Sequence, residues 1–280
     1  MTTALRPYVP DVAAEWLVGD PDQRHRSVEG TLAFVDISGF TALARRLTRQ
    51  GTVGSEELSD ILDATFGALL AHARREGGDL VKWGGDAVLL LFTGEEHAVR
   101  AVRASADMRN ELRTVGRTSS SAGGVSLRMS VGVHSGRFDF FLVGDPRIHR
   151  ELVISGPAAS RCAEMEVLAT AGQIMLSEAT AALLPPGLAG EAVGEGRLLR
   201  RRPPDGESSV GAVDLGELDV AELLSPPLRA HLLEAAGSSE HRTVGVAFVE
   251  FSGTDALLAR EGPETLAAAL DAVVRNAQEA

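Results

Sequence analysis

The chain has 280 residues, 44% hydrophobic and 24% charged, with a formal net charge of −12. That balance belongs to a folded protein, and the length holds one large domain with additions or two modest ones. The acidic charge excludes sequence-independent nucleic-acid binding, which needs a dominant basic face, so an anionic ligand would have to be met locally by cations and backbone N–H groups. Cys162 is the only cysteine, which rules out an internal disulfide and points to a reducing compartment. No signal-peptide pattern occupies Met1–Asp11, and no apolar run approaches the ~20 residues of a membrane span, so the expectation is a cytoplasmic protein with no membrane partner.

Residues 1–29 read as a polar lead-in with a helix at Val12–Val18, stopped by Gly19. Thr31–Ile37 is a nearly continuous apolar run, the pattern of a strand buried on both faces. Phe40–Arg49 reads as a helix; after Gly51–Gly54, Ser55 is placed to cap the next one, whose core face is Leu58, Ile61, Leu62, Phe66, Leu69 and Leu70. Gly77-Gly78 ends it, and strands at Leu80–Trp83 and Ala87–Phe92 are joined through Gly84-Gly85-Asp86. A helix over Glu96–Thr114 and a loop over Arg117–Gly124 follow.

Strands at Leu127–Val133 and Phe138–Val143 are expected around a Ser135-Gly136 turn, then a strand at Glu151–Ile154 and a helix at Ala158–Leu168. Ile174–Leu176 is a strand, Glu178–Leu183 a helix, and Arg197–Arg200 and Ser209–Leu215 are short strand candidates. Strands and helices mix without a strict βαβ repeat, which favours an α+β sandwich with helices over a mixed sheet.

An internal repeat shapes the rest. Ala33–Leu43 reappears as Ala247–Leu257 with seven of eleven positions identical. The second copy continues into a helical segment, Pro263–Gln278, so one strand and two helices are expected there. The organisation expected is a lead-in at 1–29, a first domain at 30–184, an extension and linker at 185–240, and the beginning of a second copy at 241–280.

Two carboxylates carry the chemistry. Asp36 interrupts an apolar strand and Asp86 sits in a hairpin fifty positions later. If those strands are neighbours, the two acids meet at one sheet end, where mutual repulsion is relieved by a divalent cation; all-oxygen ligands point to Mg²⁺ or Mn²⁺. Ser38-Gly39-Phe40-Thr41 then opens a helix whose free N–H groups can accept phosphate oxygens. Carboxylate-held metals beside a phosphate-accepting turn form a two-metal phosphoryl-transfer arrangement.

Phe34–Thr41 together with Lys82-Trp83-Gly84-Gly85-Asp86 resembles the class III adenylate/guanylate cyclases over roughly residues 29–184. The resemblance implies a ferredoxin-like-derived α+β domain that works as a head-to-tail pair, each site sharing residues of both domains. It implies an adenylate or guanylate cyclase, a phosphorus–oxygen lyase of signal transduction that turns ATP, or less favourably GTP, into cyclic nucleotide and pyrophosphate. Asp36, Asp86 and the Ile37 carbonyl would hold two ions, Lys82 would read the base, and Arg161 would stabilise the transition state.

The family's asparagine, four residues before that arginine, is replaced by Pro157, and Arg150 or Glu151 stands where a second base-reading residue belongs. Glu250 replaces Asp36 in the second copy. These split losses resemble the bicarbonate-regulated soluble adenylyl cyclases, with one active and one degenerate site. Lys82 and Arg161 would then face the degenerate site, with bicarbonate as a candidate anion, and the partner would be a second cyclase domain in cis or a homodimer. The chain alone is expected to turn over weakly or not at all, which leaves a non-catalytic nucleotide- or anion-binding module as the alternative. Gly84-Gly85-Asp86 also resembles the diguanylate cyclase signature, but Ala87-Val88 lacks its acidic and aromatic positions. The histidines show no metal-ligand spacing, and Arg147, Arg150 and Arg200–Arg202 are expected to be solvated.

Overall fold

The computed structural model describes residues 4–121, 123–206, 218–234, 245 and 250–279. The strand expected at Ser209–Leu215 and most of the second copy's strand lie outside them. The chain forms two compact units, a larger one of Glu29–Arg137 and Ala158–Gly211, and a smaller one of Met1–Val28, Phe138–Pro157 and Ala212–Ala280.

The strands are β1 (His25–Ser38), β2 (Asp79–Gly84), β3 (Ala87–Phe92), β4 (Arg117–Ser120), β5 (Gly123–Ser126), β6 (Arg128–Val143), β7 (Glu151–Ser155), β8 (Ile174–Ser177), β9 (Ala189–Val193) and β10 (Gly196–Leu199). The helices are α1 (Asp11–Gly19), α2 (Phe40–Leu47), α3 (Thr52–Arg75), α4 (His97–Val115), α5 (Pro157–Leu168), α6 (Glu178–Ala182), α7 (Pro226–Glu234), α8 (Thr254–Glu261) and α9 (Pro263–Glu279).

A mixed sheet organises the larger unit in the order β2-β3-β1-β6-β8-β10-β9, as the α+β expectation requires. The β6–β8 pair is parallel and β1–β3 antiparallel. Along β1 the side chains alternate. Ala33, Val35 and Ile37 are buried in one core with Phe40 and Leu43 of α2, Phe66 and Leu69 of α3 and Val102 of α4. Phe34 and Asp36, on the opposite face, are half-buried. Arg103 and Glu76, both buried, clip α4 to the end of α3 at 2.6 Å. Arg202 is no solvated loop residue: it donates to Asp107 on α4 at 2.5 and 2.9 Å.

Helix α5 lies against the strands at Gly132, where a β-carbon would stand 2.2 Å from the Glu166 amide nitrogen and 2.6 Å from the Cys162 carbonyl. Cys162 is buried between the Leu32 and Gly132 carbonyls, each 3.5 Å from its sulfur, and burial pushes its thiol up to about 12.

Three local expectations are corrected. Ser135-Gly136 makes no turn: β6 runs unbroken, and the buried Ser135 hydroxyl is satisfied by Thr31 of β1 and Thr180 of α6. Arg117–Gly124 is not a loop: β4 and β5 pair as a hairpin, whose Ser121 amide donates to Glu57 at 2.9 Å. Ser55 does not cap α3, which starts at Thr52 after Gly51; its hydroxyl donates back to the Gly51 carbonyl at 3.3 Å.

In the smaller unit β7 pairs with Asp139–Val143 of β6. Arg150, expected to be solvated, instead pairs with Glu222 at 2.6 Å. Among the described residues no helix is long and apolar enough to cross a membrane.

Gly132→Val places side-chain atoms inside the α5 backbone and is expected to cost about 3 kcal/mol. Thermal denaturation checks this; an unchanged midpoint would mean that α5 does not rest on β6.

Candidate active site

The register of β1 against β3 sets the site. Asp36 lies opposite Ala87, and the Ile37 N–H donates to the Asp86 carbonyl at 3.0 Å. The two acids therefore share one end of the sheet. Burial raises the Asp36 carboxyl above its ordinary value, with the charges of Asp86 and Glu166 adding to the effect. Glu166 is a neighbour the sequence reading missed. Its position four residues after the buried Cys162, hence on the same side of α5, was the available signal. It accepts from Ser130 at 2.7 Å.

Directly after Asp36, Gly39 takes φ +105°, and a β-carbon there would stand 3.2 Å from Leu127, so both conformation and space favour glycine. Leu43 N–H closes the first bond of α2 onto the Gly39 carbonyl at 3.1 Å, leaving the amides of Phe40 to Ala42 ahead of the helical ladder. Ser38 and Thr41 are exposed, and the Ser38 hydroxyl donates to the Arg128 carbonyl at 3.3 Å. Phe40 stacks on Phe66 at 5.7 Å, and Phe66 meets Trp83 at 4.5 Å. Trp83 Nε1 in turn donates to the Gly85 carbonyl at 3.0 Å. This aromatic row ties the start of α2 to the turn that carries Asp86.

Lys82 and Phe34 are both opposite Leu89, so Lys82 shares the sheet face of Asp36, two strands away; it is half-buried. Arg161 projects from α5 and pairs with Glu164 at 2.9 Å and with Glu195. Two acids thus hold the guanidinium and raise its pKa.

Two histidines end a chain of hydroxyls. His97 Nδ1, Thr31, Ser135, Thr180, Ser177 and His134 Nδ1 are linked in that order at 2.7, 2.8, 3.0, 3.1 and 2.8 Å. Thr180 gives its proton to the Val133 carbonyl at 3.3 Å, and Ser135 gives its own to Thr180. Each imidazole meets its hydroxyl through Nδ1. Single histidines without metal spacing gave no sign of this, because the links join β1, β6, β8, α4 and α6.

Paired oxygen-only acids, one of them raised by burial and repulsion, beside unladdered helix amides are a donor set suited to a hard divalent cation and a phosphate. Among the described residues no group of three or more His, Cys, Asp or Glu could hold a metal, so the pair would need main-chain oxygen, water or ligand to complete a shell.

The family model of the adenylate and guanylate cyclase catalytic domain matches residues 22–199, and the chain belongs to that family. It is similar to adenylate cyclase type 10 of Oryctolagus cuniculus, 28% identical over 176 residues, which cover 61% of this chain and 11% of that protein. The chain thus spans only a small part of that relative. Its fold is shared with the monomeric guanylyl cyclase domain of the RhoGC fusion protein from Blastocladiella emersonii, at TM-score 0.53 and 22% identity, covering 64% of this chain and 99% of that one. The adenylyl cyclase CyaB from P. aeruginosa matches at TM-score 0.50 and 20% identity, covering 68% and 100%.

Burial holds His97 and His134 below the ordinary imidazole value; Arg100 adds to this for His97 against Glu29, and Arg161 for His134 against Glu164. A ring with a depressed native pKa binds fewer protons folded than unfolded. The stability it confers is present above the unfolded value and lost as pH falls toward the folded one. The thermal midpoint is expected to drop as pH falls below about 6.5, and to drop less steeply in His134→Gln. Equal slopes for the two proteins would contradict this.

Proposed function

We propose that this chain provides the metal-binding half of an adenylate cyclase site, acting on ATP in preference to GTP. The observation that carries the reading is the meeting of Asp36 and Asp86 at one sheet end, next to the Ser38–Thr41 turn. Asp36, Asp86 and the Ile37 carbonyl would hold Mg²⁺ or Mn²⁺. When bound, such ions neutralise phosphate charge and make the attacking hydroxyl more acidic.

The ribose 3′-oxygen bonds to the α-phosphorus as the bond to the bridging oxygen of the β-phosphate breaks. Pyrophosphate leaves, and the hydroxyl proton passes to solvent. The amides at the start of α2 take phosphate oxygens, and the Trp83–Gly85 contact keeps the Asp86 turn in place beneath them.

The other half-site comes from a second cyclase domain, in cis or as a homodimer. Two features support that division. Pro157 has no side-chain amide to orient a ribose, and Arg161 is engaged by Glu164 and Glu195. On the same reading Lys82 and Arg161 serve a second, degenerate half-site that takes a small anion such as bicarbonate. The engagement of Arg161 also favours a second reading, a regulatory module that binds nucleotide or anion without turnover.

With Mn²⁺ and ATP the purified chain is expected to form cyclic AMP slowly, and Asp86→Ala to remove that activity. Formation that continues undiminished in Asp86→Ala would contradict the proposed site; metal-dependent nucleotide binding with no turnover in the wild type would select the regulatory reading.

A further inference from the structure

A third acid is fastened beside Asp36. Strands β1 and β6 are neighbours, and two contacts fix their register. The Thr31 hydroxyl meets that of Ser135 at 2.8 Å, and the Ser38 hydroxyl donates to the Arg128 carbonyl at 3.3 Å. Seven steps forward along β1 thus match seven steps back along β6, so the strands run antiparallel and Asp36 stands level with Ser130. Residues opposite one another in such a pair share a face. Burial agrees. Met129 and Val131 join Val35 and Ile37 in the core, which leaves Ser130 and Asp36 together on the other side.

Helix α5 covers that side. Cys162 rests against carbonyls of both strands, and Gly132 lets the helix come close at Glu166. One turn on from Cys162, Glu166 accepts the Ser130 hydroxyl proton through Oε1 at 2.7 Å. Ser130 therefore ties the Glu166 carboxylate to the strand position beside Asp36, where its charge is felt. Among the described residues Ser130 is the only polar partner Glu166 has. Arg161, the cation on the same helix, is taken up by Glu164 and Glu195. The negative charge of Glu166 is thus left unneutralised and held at fixed range from Asp36.

We propose that Glu166 is a positioning residue for the cation: a fixed negative charge that strengthens divalent-ion binding at Asp36 and Asp86 without entering the ion's shell. Asp36, Asp86 and Glu166 do not form a three-ligand metal group, so Glu166 acts through its field. A divalent ion feels that field with twice the energy of a single charge at the same place. The role depends on the cation site proposed above and adds to it the residue that sets its affinity.

The test separates the charge of Glu166 from its hydrogen bond. Mn²⁺ is titrated into the full chain without nucleotide, and the free ion is read by electron paramagnetic resonance. Asp36→Asn is expected to abolish the tight site. Glu166→Gln keeps an acceptor for Ser130 but removes the charge, and Glu166→Ala removes both. Each is expected to raise the Mn²⁺ Kd by about fivefold. Circular dichroism establishes that the variants are folded, and the isosteric Glu166→Gln decides if Glu166→Ala is not.

Wild-type affinity in Glu166→Gln overturns the proposal, whatever Glu166→Ala does, because the residue would then only pack α5 on β6. If Asp36→Asn loses the site while Glu166→Gln keeps it in full, the role of Glu166 fails and the cation site stands. If the wild type binds Mn²⁺ no more tightly than Asp36→Asn does, the cation site fails and the role of Glu166 falls with it.

Discussion

Pairing β1 with β3 in antiparallel register brings Asp36 to the level of Ala87 and sets Asp86 beside it. Nothing in an apolar strand end welcomes two carboxylates. Burial raises the pKa of Asp36, and the charges of Asp86 and Glu166 raise it further. A divalent cation, proposed above to bind here, would reverse the sign of that repulsion and offset the cost.

The surroundings hold the pair in place. The residues of β1 that face the α2–α4 core are fully buried, so a one-residue slip in register would exchange them with Phe34 and Asp36. The stack of Phe40, Phe66 and Trp83 couples the start of α2 to the Asp86 turn, and α5, resting on Gly132, carries Glu166 toward Asp36. The hydroxyl chain from His97 to His134 crosses the same strands and satisfies polar groups that would otherwise be stranded in the sheet.

Much of this was legible in the sequence because it is local. Apolar runs marked the strands, glycines marked the helix ends, and the Ser-Gly-Phe-Thr and Lys-Trp-Gly-Gly-Asp segments announced the two acids. What escaped depends on contacts between distant segments. Ser135-Gly136 has turn chemistry, yet β6 runs through it unbroken and Thr31 and Thr180 supply the Ser135 hydroxyl with partners. Arg150 and Arg202 sit in polar stretches, and only the fold gives them Glu222 and Asp107. Glu166 could have been found by placing Cys162 and residue 166 on one side of a helix. The histidine-ended chain could not, since its hydroxyls are scattered from Thr31 to Thr180.

The most direct measurement compares the thermal midpoint of the wild type with that of Asp36→Asn, in chelator and then in excess Mn²⁺. Relief of an unfavourable carboxylate should make Asp36→Asn the more stable protein in chelator, while the cation should raise the wild type by several degrees and leave the variant nearly unchanged. An asparagine variant that is less stable in chelator, or that gains from Mn²⁺ as much as the wild type does, would contradict the claim that the two acids are kept together to bind a cation.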